Sequence, residues 1–342
     1  MIWPFDLLIL TLIVICGFFA IHVKDLLGAA VVFGAYSFLM CLLWTEMGAV
    51  DVAFTEAAVG AGVSTVLFIA AVHRSSRKVA SRKSGKRLFG FIGLAAAGLL
   101  GAVLFYATGD FPSWADPASP ASNHLSPYYI THSLSDTAVP NLVTSVLADY
   151  RSFDTMFETT VVYVAGMAVL IIIGRCGAVQ PAANNCRDER NHMNGYEDSI
   201  IRFITRAILP FMQLFALYVV AHGHHSPGGG FQGGVILGAS YVLLAISFDM
   251  KMVTATINER KNLLLANTGV LLYAGIGALA LALGANFLDY SILHKILPAT
   301  DAVMARSHAM LGVETGVAIA VAAIIIVIYN NIASGGTYEK GL

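Results

Sequence analysis

The sequence predicts an all-α, polytopic membrane protein with about nine transmembrane helices. Two observations carry that prediction. The chain is 57% hydrophobic and only 12% charged, whereas a soluble domain carries about 25% charged residues; its mean hydropathy is +0.73. The apolar residues also fall into continuous runs of roughly 20, the length a helix needs to cross the hydrocarbon. Short alternating segments of the kind that build a barrel are missing. The four cysteines (Cys16, Cys41, Cys176 and Cys186) have no CxxC spacing. Two of them sit inside apolar runs, where packing as small hydrophobes is the expected role. The opening Met-Ile-Trp-Pro-Phe-Asp lacks a basic n-region, so a cleaved signal peptide is not expected.

Taken in order, the runs cover residues 3–22, 26–44, 50–72, 88–107, 154–174, 203–221, 231–250, 263–284 and 308–330. Spans two and three are separated only by Thr45-Glu46-Met47-Gly48-Ala49. Basic residues set the orientation. The segment His73–Arg87 carries Arg74, Arg77, Lys78, Arg82, Lys83, Lys86 and Arg87 with no acidic residue, so it is expected on the cytoplasmic side. Counting outward puts the N-terminus outside and the C-terminus in the cytoplasm. Lys24, Arg175, Arg187, Arg190, Lys251, Arg260, Lys261 and Lys340 then fall inside, against Arg151, Lys295 and Arg306 outside. A juxtamembrane loop explains the basic run, and no nucleic-acid partner is expected.

Between spans four and five, the segment 108–153 has five prolines among small polar residues. It reads as an external segment without a core of its own. Residues 180–199 read as a cytoplasmic linker dividing spans one to five from spans six to nine.

Ionisable groups at membrane depth are costly, so each is a functional candidate. Glu56 lies roughly 9 Å below the start of span three, and Glu158 and Glu314 are expected at similar depths in spans five and nine. All three helices begin on the same side, so the glutamates form one layer suited to a proton or cation path. Asp51 and Asp154 stand at helix starts, where capping and the helix dipole favour a carboxylate. Asp154 and Glu158 are four residues apart and share a helix face. The small residues after Glu56 (Ala57, Ala58, Gly60, Ala61, Gly62) allow close packing or a local distortion of the helix.

The stretch Ala221-His222-Gly223-His224-His225-Ser226-Pro227-Gly228-Gly229-Gly230-Phe231-Gln232-Gly233-Gly234 divides spans six and seven. His222, His224 and His225 lack the spacing and the Cys or carboxylate company of a zinc site, so no metal is expected. No Gly-Lys-Ser/Thr follows the glycines, which excludes a P-loop. Gly229/Gly233, Gly230/Gly234 and Gly234/Gly238 have the small-xxx-small spacing of a close helix contact. Ser226 is expected to cap span seven and Pro227 to begin it, ahead of Gly228.

These residues carry a resemblance. Arg206-Ala-Ile-Leu-Pro-Phe-Met-Gln-Leu-Phe-Ala-Leu-Tyr218, together with Gly223–Gly234, closely resembles the MnhB/MrpB subunit of Mrp-type sodium/proton antiporters. Asp51-Val-Ala-Phe-Thr-Glu-Ala-Ala-Val-Gly-Ala-Gly62 is similar to the MbhD-type segment, found in the same systems and at the end of their large A subunit. The run from Asn141 through Asp154-Thr-Met-Phe-Glu158 resembles the MbhE-type segment that comes next in those systems. The resemblance implies an MbhD-like segment over 1–78, an MbhE-like segment over 79–179 and an MnhB-like domain over 200–342. It also implies a multi-pass subunit of the inner cell membrane, in contact with lipid, Na⁺ and H⁺. Such systems exchange cytoplasmic Na⁺ for external H⁺, or couple a hydrogenase-type complex to ion pumping. The large domain with a central lysine is missing from this chain, so other subunits are its expected partners, a large antiporter-like one among them. No cofactor is expected.

Overall fold

The computed structural model describes residues 4–75, 87–113, 116–177, 195–248, 258–297 and 301–335. Among these, nine helices are long and apolar enough to cross a membrane, and there is no strand. In order they are α1 (Pro4–His22), α2 (Leu26–Glu46), α3 (Val50–Arg74), α4 (Arg87–Ala107), the short α5 (Ser126–Thr137), α6 (Ser152–Gly177), α7 (Gly195–His222), α8 (Gly230–Ser247), α9 (Glu259–Ala282) and α10 (Ala302–Ser334). All but α5 are spans.

Boundaries differ from the hydropathy reading where a helix opens on polar residues. In α9 the Asn258 side chain accepts from Lys261 N–H at 2.9 Å, so Glu259-Arg260-Lys261-Asn262 is the first helical turn, not loop. Asp301 does the same for α10, accepting from Met304 N–H at 2.8 Å, and the ninth span begins at Ala302, ahead of the expected 308. Hydropathy cannot register a polar turn that a cap makes helical. The expected linker 180–199 lies outside the described residues as far as 194, and from Gly195 the backbone is already helical. Most of the basic segment 73–87 also lies outside the described residues.

The fold is organised around α10, the most buried span, which packs against α8, α9, α6 and α3. Without a hydrophobic drive between helices in lipid, such packing rests on close van der Waals contact, and glycines supply it. A Cβ on Gly234 would fall 2.7 Å from the Ala318 carbonyl oxygen, and one on Gly238 would fall 3.0 Å from Ile325 Cβ. Gly230, one turn earlier, lies against the backbone of Glu314. A four-residue glycine repeat on α8 thus meets Glu314, Ala318 and Ala322 on α10. The side chain of Arg74, ending α3, donates to the carbonyl of Ala333 near the end of α10, so these two helices finish on one side. By contrast, every described side chain of α4 from Gly90 onward is exposed.

The segment 108–153 departs from expectation: its second half belongs to the common core. Val139, Thr137 and Ser145 are fully buried, and Val139 and Ala148 join the cluster that holds Ala309, Met310 and Val313 of α10. Its buried polar groups are satisfied locally, Thr137 Oγ1 with Ser145 Oγ at 3.1 Å for example. That satisfaction lets a segment of polar composition enter the core.

Candidate functional site

The glycine-rich turn between α7 and α8 is held from three directions. Asn141 Nδ2 donates to the carbonyls of Gly223 and Ser226, both at 3.0 Å, while Asn141 N–H donates to the His224 carbonyl at 2.9 Å. Thr144 Oγ1 adds a 2.8 Å bond to the Gly223 carbonyl. From α3, Asp51 Oδ1 accepts from Gly228 N–H at 3.0 Å. From within the turn, Gly229 N–H donates to the Val219 carbonyl at 3.2 Å.

Two expectations are corrected here. Pro227 does not start α8; it lies in the turn, Gly229 is the N-cap residue and Gly230 the first helical one. Gly228 and Gly229 have φ of +152° and +129°, a region that favours glycine and is not helical. Ser226 does not cap the helix, its hydroxyl donating instead to the His222 carbonyl at 3.4 Å. Asp51 likewise does not cap its own helix, because its carboxylate is spent on Gly228. His222 stacks on Tyr218 with ring centroids 4.9 Å apart, while His224 turns inward and buries its Nε2.

Beneath the turn is a cavity of about 770 Å³ lined by Asp51, Asp154, Glu158 and Glu314, with Gly228–Gln232 on its rim. Glu314 is only 8% exposed, and its Oε2 has no protein partner. Glycines surround the carboxylate: a Cβ on Gly229 would lie 3.2 Å from Oε1, and one on Gly223 would lie 3.1 Å from Oε2. Asp154 pairs with Arg151 at 2.6 Å across a largely exposed surface, a contact of little energetic weight. Gln232 Nε2, on the rim, donates to Thr55 Oγ1 at 2.8 Å and ties α8 to α3.

The early start of α10 leaves Glu314 twelve residues in, against six for Glu158 in α6, yet both line this cavity. Arg306 of α10 pairs with Asp149 just ahead of α6. Arg306 Nε donates to both Asp149 oxygens, at 3.2 and 3.1 Å, and its guanidinium lies 5.5 Å from the Tyr150 ring centroid. Burial pushes the Asp149 carboxyl above the usual carboxylate range, with Arg306 opposing it.

Glu56 is not on this cavity. It turns toward α2: the place a Cβ on Gly60 would occupy is crowded by the Glu56 carboxyl and by Ser37 Oγ, the latter 2.7 Å away. The cause is local. On the regular turns Val50–Glu56, Glu56 stands five residues past Asp51 and so about 140° round the helix from it. The structure therefore joins Glu158, Glu314, Asp51 and Asp154 and sets Glu56 apart. Sequence reasoning assigned no role to Asn141, Thr144, Thr55 or Gln232. The Asn141-Leu-Val-Thr144 spacing of a helix cap was the available signal, since Asn141 Oδ1 accepts from Val143 and Thr144 N–H.

Nine spans among the described residues define a membrane-embedded protein, with four carboxylates on one cavity. Residues 200–327 match a family profile described as a domain related to the MnhB subunit of Na⁺/H⁺ antiporter. Residues 11–77 and 99–191 match profiles described as MBH subunits D and E. The chain is 34% identical over 101 residues to the B subunit of a Na⁺/H⁺ antiporter from Bacillus subtilis, covering 30% of this chain and 70% of that one. It is 31% identical over 137 residues to a Methanocaldococcus jannaschii protein, covering 38% of this chain and spanning half the length of that relative. The fold is similar to a chain of the Mrp complex from Dietzia (TM-score 0.72, 23% identity), covering 95% of this chain and 34% of that one. The chain belongs to the MnhB-type antiporter subunit family, with MbhD- and MbhE-type segments ahead of the MnhB-type one.

Proposed function

We propose that this chain is a carboxylate-bearing subunit of a multisubunit monovalent cation/proton antiporter. It would lie in the inner cell membrane with its N-terminus and glycine-rich turn outside and its C-terminus in the cytoplasm. Glu314, Glu158, Asp154 and Asp51 form the path on one cavity, and Glu56 serves a separate branch along α2. Na⁺ and H⁺ are the ions, lipid surrounds the spans, and larger antiporter-like subunits complete the transporter. One observation carries the reading: Glu314 is buried, lacks a protein partner at Oε2 and shares a cavity with three other carboxylates. A group so costly to bury is kept for ion work. In purified complex reconstituted into vesicles, Glu314→Gln and Glu158→Gln should each abolish Na⁺-driven proton movement without disturbing co-purification of partners. Normal exchange in both variants would leave only a scaffold role. A second reading, a membrane-arm subunit of a redox-driven ion pump, is favoured by the matches to MBH subunits D and E. It requires redox subunits to co-purify with the chain.

A further inference from the structure

We propose that His224 is the turn-side proton donor and acceptor for Glu314, exchanging a proton with it across Gly223. The inference rests on the carboxylate-path reading and assigns the group that feeds its buried end. Three observations support it. His224 Nε2 and Glu314 Oε2 are both buried without a protein partner. The residue bonded directly to His224, Gly223, has no side chain, and a Cβ on it would lie 3.1 Å from Glu314 Oε2. The turn that carries His224 is also fixed, since Asn141 and Thr144 hold the Gly223 carbonyl and Asn141 N–H holds that of His224. These bonds fix the backbone from which the His224 imidazole projects.

The exchange balances simply. The His224 imidazolium loses its Nε2 proton through water and the Glu314 carboxylate gains it at Oε2. Neutral imidazole and neutral carboxylic acid result, and the reverse step restores the charges. His224 then regains a proton from solvent on its outer side. Burial, followed by the neighbouring His225 and by His308 of α10, lowers the His224 pKa below the usual imidazole range, which makes the cation a ready donor. Facing Glu314 are Asp51 from α3, Glu158 from α6 across the cavity and Tyr273 from α9.

The experiment uses the assembled complex in proteoliposomes, with proton movement followed while the pH on the turn side is varied. His224→Gln should lower exchange by about tenfold or more, in keeping with loss of a positioned proton carrier. It should also flatten the dependence on turn-side pH below the ordinary imidazole pKa of about 6.5, the direction in which burial moves His224. His224→Ala should regain rate when imidazole is added on the turn side. Wild-type rate and pH profile in His224→Gln would overturn the proposal, as would a lower rate with an unchanged profile. Should His224→Gln fail to assemble, His224→Asn is read by the same two criteria. Glu314→Gln separates the two claims: exchange lost there but intact in His224→Gln rejects His224 alone, whereas exchange intact in Glu314→Gln rejects the path itself.

Discussion

Asp51 accepts a hydrogen bond from the backbone N–H of Gly228 at 3.0 Å, across 177 positions of sequence. The bond ties the start of α3, in the MbhD-type segment, to the turn that opens α8 in the MnhB-type domain. Gly228 is buried, so its N–H has no easy recourse to water once the carboxylate is gone. Asp51→Ala should therefore destabilise the chain by about 1.5–3 kcal/mol, the range for hydrogen bonds to charged groups. Asp51→Asn keeps an acceptor oxygen and should lose about half as much. Thermal unfolding of the detergent-purified complex reads the difference. Equal melting of Asp51→Ala and wild type would mean that Asn141, Thr144 and Val219 hold the turn without Asp51.

Gly230 supplies a sharper test of the packing. A Cβ there would come within 2.7 Å of the Glu314 carbonyl carbon and 2.9 Å of its Cα. Backbone on a buried helix cannot swing aside as a flexible side chain can. Gly230→Ala should cost about 1–3 kcal/mol through overpacking and push α8 away from α10. The control is Gly275 in α9, where an added Cβ meets nothing within 4 Å. Gly275→Ala should be neutral or gain up to about 1 kcal/mol from helix propensity. Comparable yields and melting temperatures for the two variants would refute the close α8–α10 contact.

The spans were legible because each needs a long apolar run, a signal that survives without neighbours. The Asp154/Glu158 pair was legible for a similar reason: a four-residue spacing on a regular helix puts both on one face, and both line the cavity. Glu56 was placed by depth alone, whereas its face follows from rotation: five residues past Asp51 on a regular helix is about 140° round. The role of Asn141 was hidden in another way. Its partners are backbone carbonyls of Gly223 and Ser226, and a carbonyl looks the same on every residue. The buried half of 108–153 was masked because its apolar residues, such as Val139, Leu142, Val143, Val146 and Leu147, are broken up by polar ones and never form a run of span length.

Arg306 and Asp149 form the remaining joint, fixing the start of α10 against the approach to α6. The Asp149 side chain is 5% exposed and the Arg306 side chain 24%, so removing the arginine leaves a buried carboxylate with no cation. Arg306→Met should cost about 3 kcal/mol, near the lower end for breaking a buried pair. Adding Asp149→Asn should recover most of that loss, since two neutral side chains of similar size impose no uncompensated charge. Asp149→Asn alone should cost less than Arg306→Met, because Arg306 retains its face-on contact with Tyr150 and some access to water. A double-mutant cycle on thermal stability measures the coupling, and additive single effects would mean that the two groups do not depend on one another. A large coupling with exchange intact would place the pair in the frame of the site and outside the ion path.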